Sequence, residues 1–328
     1  MRIITLFSAA SALSVALSAA FASPALAHSQ WLLPSTTVLA GTGNGVTVDA
    51  GTSTVPFYAD HFPMGIDDIK VWAPDGSEGK IQNPATGRYR STFDVMIDQP
   101  GTWKIGVEQA SVFGSFVLDG EMWRVGAMRR PPAGAGMGPG GPGGPGGPGG
   151  PGGRAGPGGP GGPQGEGRPG GEGGRARFDP AHVVASPAEI PAGATDVKLS
   201  ERISRNFIFV TADAPTQSVF KPAGKGLEME PITHPDALAS DEEGQFRFLV
   251  DGKPAAGVKV TVVPGGKRFR EADDAQQLTT GPDGVLRVKW PVAGMYWLNA
   301  EMTDHRASDP RVTERRMSYT TTLEVVAP

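Results

Sequence analysis

A histidine follows directly on a small-x-small tripeptide in this chain, in the order Ala25-Leu26-Ala27-His28. Cleavage after Ala27 makes His28 the amino terminus, where the α-amine and the imidazole of one residue can give two nitrogens to a single metal ion. One more imidazole completes a T-shaped set of three nitrogens. His61, in Tyr58-Ala59-Asp60-His61-Phe62-Pro63, is the first choice for it, with Asp60 placed either to ligate or to orient a ring. His234, in Thr233-His234-Pro235, is a further candidate ligand, and its competing role is that of a turn residue bonded to nearby backbone. His182 and His305 complete the five histidines and read as solvent-facing. The chain has no cysteine, which removes thiolate sites, disulfides and thiol nucleophiles together, and its ten methionines are scattered instead of clustered. Imidazole, amine and carboxylate donors suit nickel, cobalt or copper.

The leader that delivers His28 to the terminus spans residues 1–27. It has one early charge at Arg2, an apolar run from Ile3 to Phe21, and the Ala25 and Ala27 ending of a secretory signal peptide. Serines dilute the run and Pro24 ends it, so it reads as a cleaved signal and not an anchor. The expected location is the periplasm, with no stable membrane span in the mature chain. A net charge of −4 speaks against nucleic acid as a partner.

One composition break divides the remainder. Residues 131–177 hold half of the 48 glycines and about a third of the 31 prolines, with too few apolar side chains to offset backbone entropy. Glycine recurs every third residue from Gly138 to Gly165, but it also fills the positions where collagen places imino acids, and the period fails at Arg168. The segment reads as a weakly basic disordered insertion that loops out of the first domain. Elsewhere no long helical period occurs. Phe93, Val95 and Ile97 alternate with other residues, Pro100-Gly101 turns, and Trp103, Ile105 and Val107 follow. Leu286, Val288 and Trp290 repeat the device, with Pro291 to Gly294 as turn and Tyr296 and Leu298 beyond it. Both read as hairpins, as does Asp251 to Val262 around Asp251-Gly252-Lys253-Pro254. The expected class is all-β, with two Ig-like or transthyretin-like β-sandwich domains in series at residues 28–212, containing the insertion, and 213–328.

The start Ala27-His28-Ser29-Gln30-Trp31-Leu32-Leu33-Pro34, the stretch Phe207 to Thr216, the run Gly226 to Pro235 and the segment Asp251 to Gly257 resemble a family of exported bacterial proteins of unknown function. Its members are often described as periplasmic components of nickel or cobalt uptake. The resemblance therefore implies a periplasmic metal-binding protein that passes its ion to a membrane importer. No His-Glu-x-x-His, phosphate-binding loop, Gly-x-Ser-x-Gly elbow or dinucleotide fingerprint is present, and no catalytic role is expected. The alternative is a non-catalytic envelope module for adhesion or ligand binding. Trp31, Phe57, Tyr58 and Trp123 are its candidate surface aromatics, and the basic insertion is a means of attachment to another envelope protein.

Overall fold

A computed structural model describes residues 29–126 and 181–328, so the signal segment, His28 and the Gly/Pro-rich insertion lie outside the described residues. The strands of the first part are β1 (Ser29–Pro34), β2 (Val38–Leu39), β3 (Asn44–Ser53), β4 (Phe62–Pro63), β5 (Lys70–Trp72), β6 (Ile81–Thr86), β7 (Arg90–Ile97), β8 (Gly101–Leu118) and β9 (Glu121–Val125). Beyond the insertion come β10 (Val183–Val184), β11 (Thr195–Ala212), β12 (Leu227–Pro231), β13 (Glu243–Val250) and β14 (Lys253–Pro254). The last strands are β15 (Lys259–Pro264), β16 (Gln276–Thr279), β17 (Val285–Lys289), β18 (Gly294–Asp304) and β19 (Val312–Val325). Among the described residues there are short 3₁₀ turns and no α-helix, so none is long and apolar enough to cross a membrane.

These strands build two Ig-like sandwiches from three sheets. The first sandwich lays β1-β3-β7-β6 over β5, β8 and β11 of a ten-stranded sheet that runs β10-β9-β8-β11-β19-β18-β15-β16. Its core pairs Val46, Val48, Phe93, Val95 and Ile97 with Trp103, Ile105, Ile208 and Val210. In the second, β12, β13, β14 and β17 cover β11, β19, β18 and β15, and Phe246, Phe248, Leu286 and Trp290 meet Phe207, Phe209, Tyr296 and Tyr319. Strand β11 thus belongs to both. Ile208, Val210 and Ala212 point into the first core while Ile203, Phe207 and Phe209 point into the second, as period-two alternation requires. Being covered on both faces, it reads as the unbroken apolar run Phe207-Ile208-Phe209-Val210.

The alternation was correctly placed on strands, but the three expected hairpins are corrected. Strands β7 and β8 lie in opposite sheets, as do β17 and β18, and β13 and β15. The first two connections cross the sandwich instead of folding back within a sheet. Two inward-facing rows have the same sequence pattern whether they sit side by side or face each other across a core, so alternation alone cannot separate the two. Gly101 and Gly294, which open β8 and β18, have φ of 119° and 145°, a backbone open to glycine where the chain must swing from one sheet to the other. The Asp-Gly-Lys-Pro turn instead returns into the short β14, pairing Leu249 with Pro254, before the chain changes sheet. Strand β8 continues without a break from Trp103, Ile105 and Val107 to Leu118.

The two ends of the insertion meet at one sheet edge. Strands β9 and β10 pair in parallel, with Arg124 N donating to His182 O and Gly126 N to Val184 O, each at 2.9 Å.

A buried ion triad closes the second sandwich. Arg315, on β19 and 4% exposed, donates to Asp304 at 2.9 and 2.7 Å and to Asp251 at 3.0 and 2.8 Å. These bonds hold the Asp304 carboxyl at about 2. A depressed folded value means that the stabilisation is complete above the ordinary 3.8 and is lost as pH falls toward 2. Asp304→Asn is expected to cost about 2 kcal/mol at neutral pH and to flatten the acid limb of stability below pH ~4. Urea unfolding over a pH series measures both, and an unchanged acid limb would show that Asp304 is not the group responsible.

Candidate metal centre

Strand β3 places the predicted amino-terminal residues. On one side it pairs with β1, Ser29 opposite Ser53, and on the other with β4, Thr52 opposite Phe62. That pairing ends at Phe62, and His61 is the residue just before it in the chain. Ser29 and Phe62 therefore flank the last two residues of β3, Ser53 and Thr52, from opposite sides. His28, the residue bonded to Ser29, lies outside the described residues, but its attachment point is at this end of the sheet. Ser53 is fixed at the end of β3, because its hydroxyl accepts from Trp31 Nε1 at 2.7 Å and donates to Val55 O at 2.5 Å. His61 and Asp60 are both exposed, and the His61 ring packs 4.5 Å from that of Phe62.

His234 is not part of this arrangement. It sits near the opposite end of β1, at the joint between the sandwiches, and is 9% exposed. Its Nδ1 accepts from Asp236 N at 3.2 Å, capping the turn Pro235–Ala237. Burial lowers its pKa, outweighing the attraction of Asp236, so the ring is neutral with its proton on Nε2. That Nε2–H donates to Thr102 Oγ1 at 3.1 Å, with Thr216 O at 3.4 Å. The Thr102 hydroxyl also takes Thr216 N at 3.0 Å and lies 3.1 Å from the hydroxyl of Thr211. Both ring nitrogens are thus spent on joining the start of β8 to the loop after β12. Among the described residues no group of three or more His, Asp or Glu side chains is placed to hold a metal ion.

The other sequence candidates are distributed by the same packing. Trp31 is corrected from a surface aromatic to a core residue, 1% exposed against Trp297 and Val263. Phe57 and Trp123 are half-buried, and Tyr58 is exposed. His182 is half-buried, stacked 4.6 Å from Trp123 and 3.2 Å from Glu121, while exposed His305 donates from Nδ1 to Thr313 O at 2.7 Å.

A second polar site went unread in the sequence. Lys104 and Glu108 of β8, Arg205 of β11, Glu228 of β12 and Tyr319 of β19 line a cleft at the rim of the second sandwich. Its signal was Arg205, a cation two residues before the apolar run of a central strand, where an unpaired charge is costly.

Two Ig-like β-sandwiches define the class. The chain belongs to the family of the domain of unknown function DUF4198, whose model matches residues 25–304. No curated protein matches it. Among solved structures it is similar to the D0-D1 domain of intimin, at 10% identity over 90% of this chain and 97% of that one, with a TM-score of 0.19. It is also similar to trypsin-activated alpha-2-macroglobulin from Escherichia coli, at 13% identity and a TM-score of 0.18, over 90% of this chain and 15% of that one. Superpositions at this level carry no functional information.

The His234 geometry yields a test. A lowered histidine pKa means that stability is full above the ordinary 6.5 and declines as acid protonates the buried ring. His234→Ala is expected to destabilise by about 1–3 kcal/mol, to lose the pH dependence between about 7 and 5, and to leave metal binding unchanged. Urea unfolding and metal titration of the same variant check this, and a lost ion would make His234 a ligand.

Proposed function

We propose that the protein is an exported, non-catalytic metal-binding protein that captures nickel, cobalt or copper and passes the ion to a membrane importer. The observation that supports this reading is that the last two residues of β3 pair with Ser29, the attachment point of His28, on one edge and with Phe62, the chain neighbour of exposed His61, on the other. With a terminus at His28, the α-amine and two imidazoles supply three nitrogens, and exposed Asp60 adds a carboxylate beside them. The ion is cargo: an exposed site of few ligands at a chain terminus lets it leave to a partner. All three nitrogens bind unprotonated, so affinity falls as pH drops.

A second reading, an envelope module for adhesion or ligand binding, has one observation in its favour. Arg268 stands between the rings of Tyr58 and Phe269, 5.4 and 5.3 Å from their centres, with Phe269 82% exposed. Such an aromatic-arginine surface suits contact with another molecule.

Native mass spectrometry of the exported protein with equimolar nickel, cobalt and copper tests the first reading. The expected result is a mature terminus at His28 and one retained ion, with affinity reduced at least about tenfold in His28→Ala and in His61→Ala. A different terminus, or no retained ion, overturns it and favours the surface centred on Tyr58 and Phe269.

A further inference from the structure

The cleft at the rim of the second sandwich has two hydrogen-bond donors without a hydrogen-bond partner among the described residues. Its floor is a row across three strands, Glu108 opposite Arg205 opposite Tyr319, with Lys104 opposite Phe209 further along the same face. The covering sheet ends at β12, so this part of the floor is roofed only by Glu228, Met229 and the segment from Val219 to Ala223. The space enclosed is about 50 Å³ and opens to solvent.

The acids of the cleft are already engaged. Glu228, 7% exposed, accepts from Ala223 N at 2.7 Å and Gly224 N at 2.8 Å. Glu108 accepts from Arg205, which is 3% exposed and also donates to Leu227 O at 2.7 Å. Two donors remain. Among the described residues the Lys104 ammonium has no carboxylate within salt-bridge distance, and it rests over the rings of Trp72 and Phe207, at 4.4 and 5.0 Å. The Tyr319 hydroxyl, on a side chain 3% exposed, makes no hydrogen bond among the described residues, and burial raises its pKa and keeps it protonated. Both donors border one ring, since Phe207 packs 5.8 Å from Tyr319.

Charge and size select the ligand. Lys104, Arg205 and Lys221 against Glu108 and Glu228 leave a single positive charge, which one negative charge neutralises and a dianion overshoots. The enclosed space is about a third of the roughly 150 Å³ that holds one benzene, so it seats little more than a carboxylate group, and a short acid such as propionate extends its chain toward the open side. We propose that the cleft is a binding site for a small monocarboxylate, its two oxygens taken by Lys104 and Tyr319 and its hydrocarbon part lying against Phe207, Phe209 and Phe220. The site lies on the face of the ten-stranded sheet opposite the one that β1 covers, so it stands independently of any metal at His28.

Isothermal titration of the full mature chain with propionate, and with inorganic phosphate as a dianion control, tests this. One propionate is expected to bind per chain and phosphate is not. Lys104→Met keeps the apolar stem and is expected to weaken propionate binding at least about tenfold. Tyr319→Phe is expected to weaken it severalfold while leaving the thermal midpoint unchanged or higher, because the lost hydroxyl has no partner in the protein. That combination separates a ligand-binding hydroxyl from a structural one. No propionate binding, equal affinity in both variants, or a preference for phosphate overturns the proposal.

Discussion

Strand β11 is the constraint on which the other elements depend. It takes β8 antiparallel on one edge and β19 parallel on the other, and it puts alternate side chains into two separate cores. Neither sandwich is complete without it, so the second cannot tilt freely against the first. The boundary read at Asp213 falls one residue beyond this strand, where His234, Thr102 and Thr216 tie the halves a second time. Strand β1 adds a third tie across the back of the shared sheet: Trp297 Nε1 donates to Gln30 O and the Thr322 hydroxyl to Leu32 O. The entry of the chain into its first sheet is therefore held by the second sandwich.

The sequence disclosed strands better than partners. Phe93, Val95 and Ile97 are buried because the residues between them are not all apolar, and this period survives any choice of neighbouring strand. Whether Trp103 faces Phe93 from the adjacent strand or from the opposite sheet depends on the path of the Pro100-Gly101 turn. A glycine there permits a conformation without dictating the partner. The double burial of β11 was legible only as a long apolar run, which fits a central strand and leaves open that its two faces serve different cores.

The two buried arginines show what charge does in such a fold. Arg315 has two carboxylates and forms bonds to both, an arrangement that closes on itself and offers nothing to a ligand. Arg205 has Glu108, a backbone carbonyl and Glu228 at 3.9 Å, and its row continues to a tyrosine whose hydroxyl is unspent. The first closes a sandwich and the second borders an opening. Burial and charge are alike in both. The difference lies in where the covering sheet stops, a property of topology that no local sequence pattern records.

The histidines follow the same logic. His28 and His61 were paired in the sequence by residue chemistry alone; the register of β1, β3 and β4 brings their chain neighbours, Ser29 and Phe62, to the last two residues of β3. His234 was a candidate by residue type as well, yet a neutral ring with one acceptor and one donor nitrogen is what a joint of threonine hydroxyls and backbone amides needs. A histidine is available to a metal only while one nitrogen keeps a free lone pair. At His234 the Nδ1 pair is taken by Asp236 N and the Nε2 proton is held by Thr102, so a metal there would have to break the contact that holds the sandwiches together.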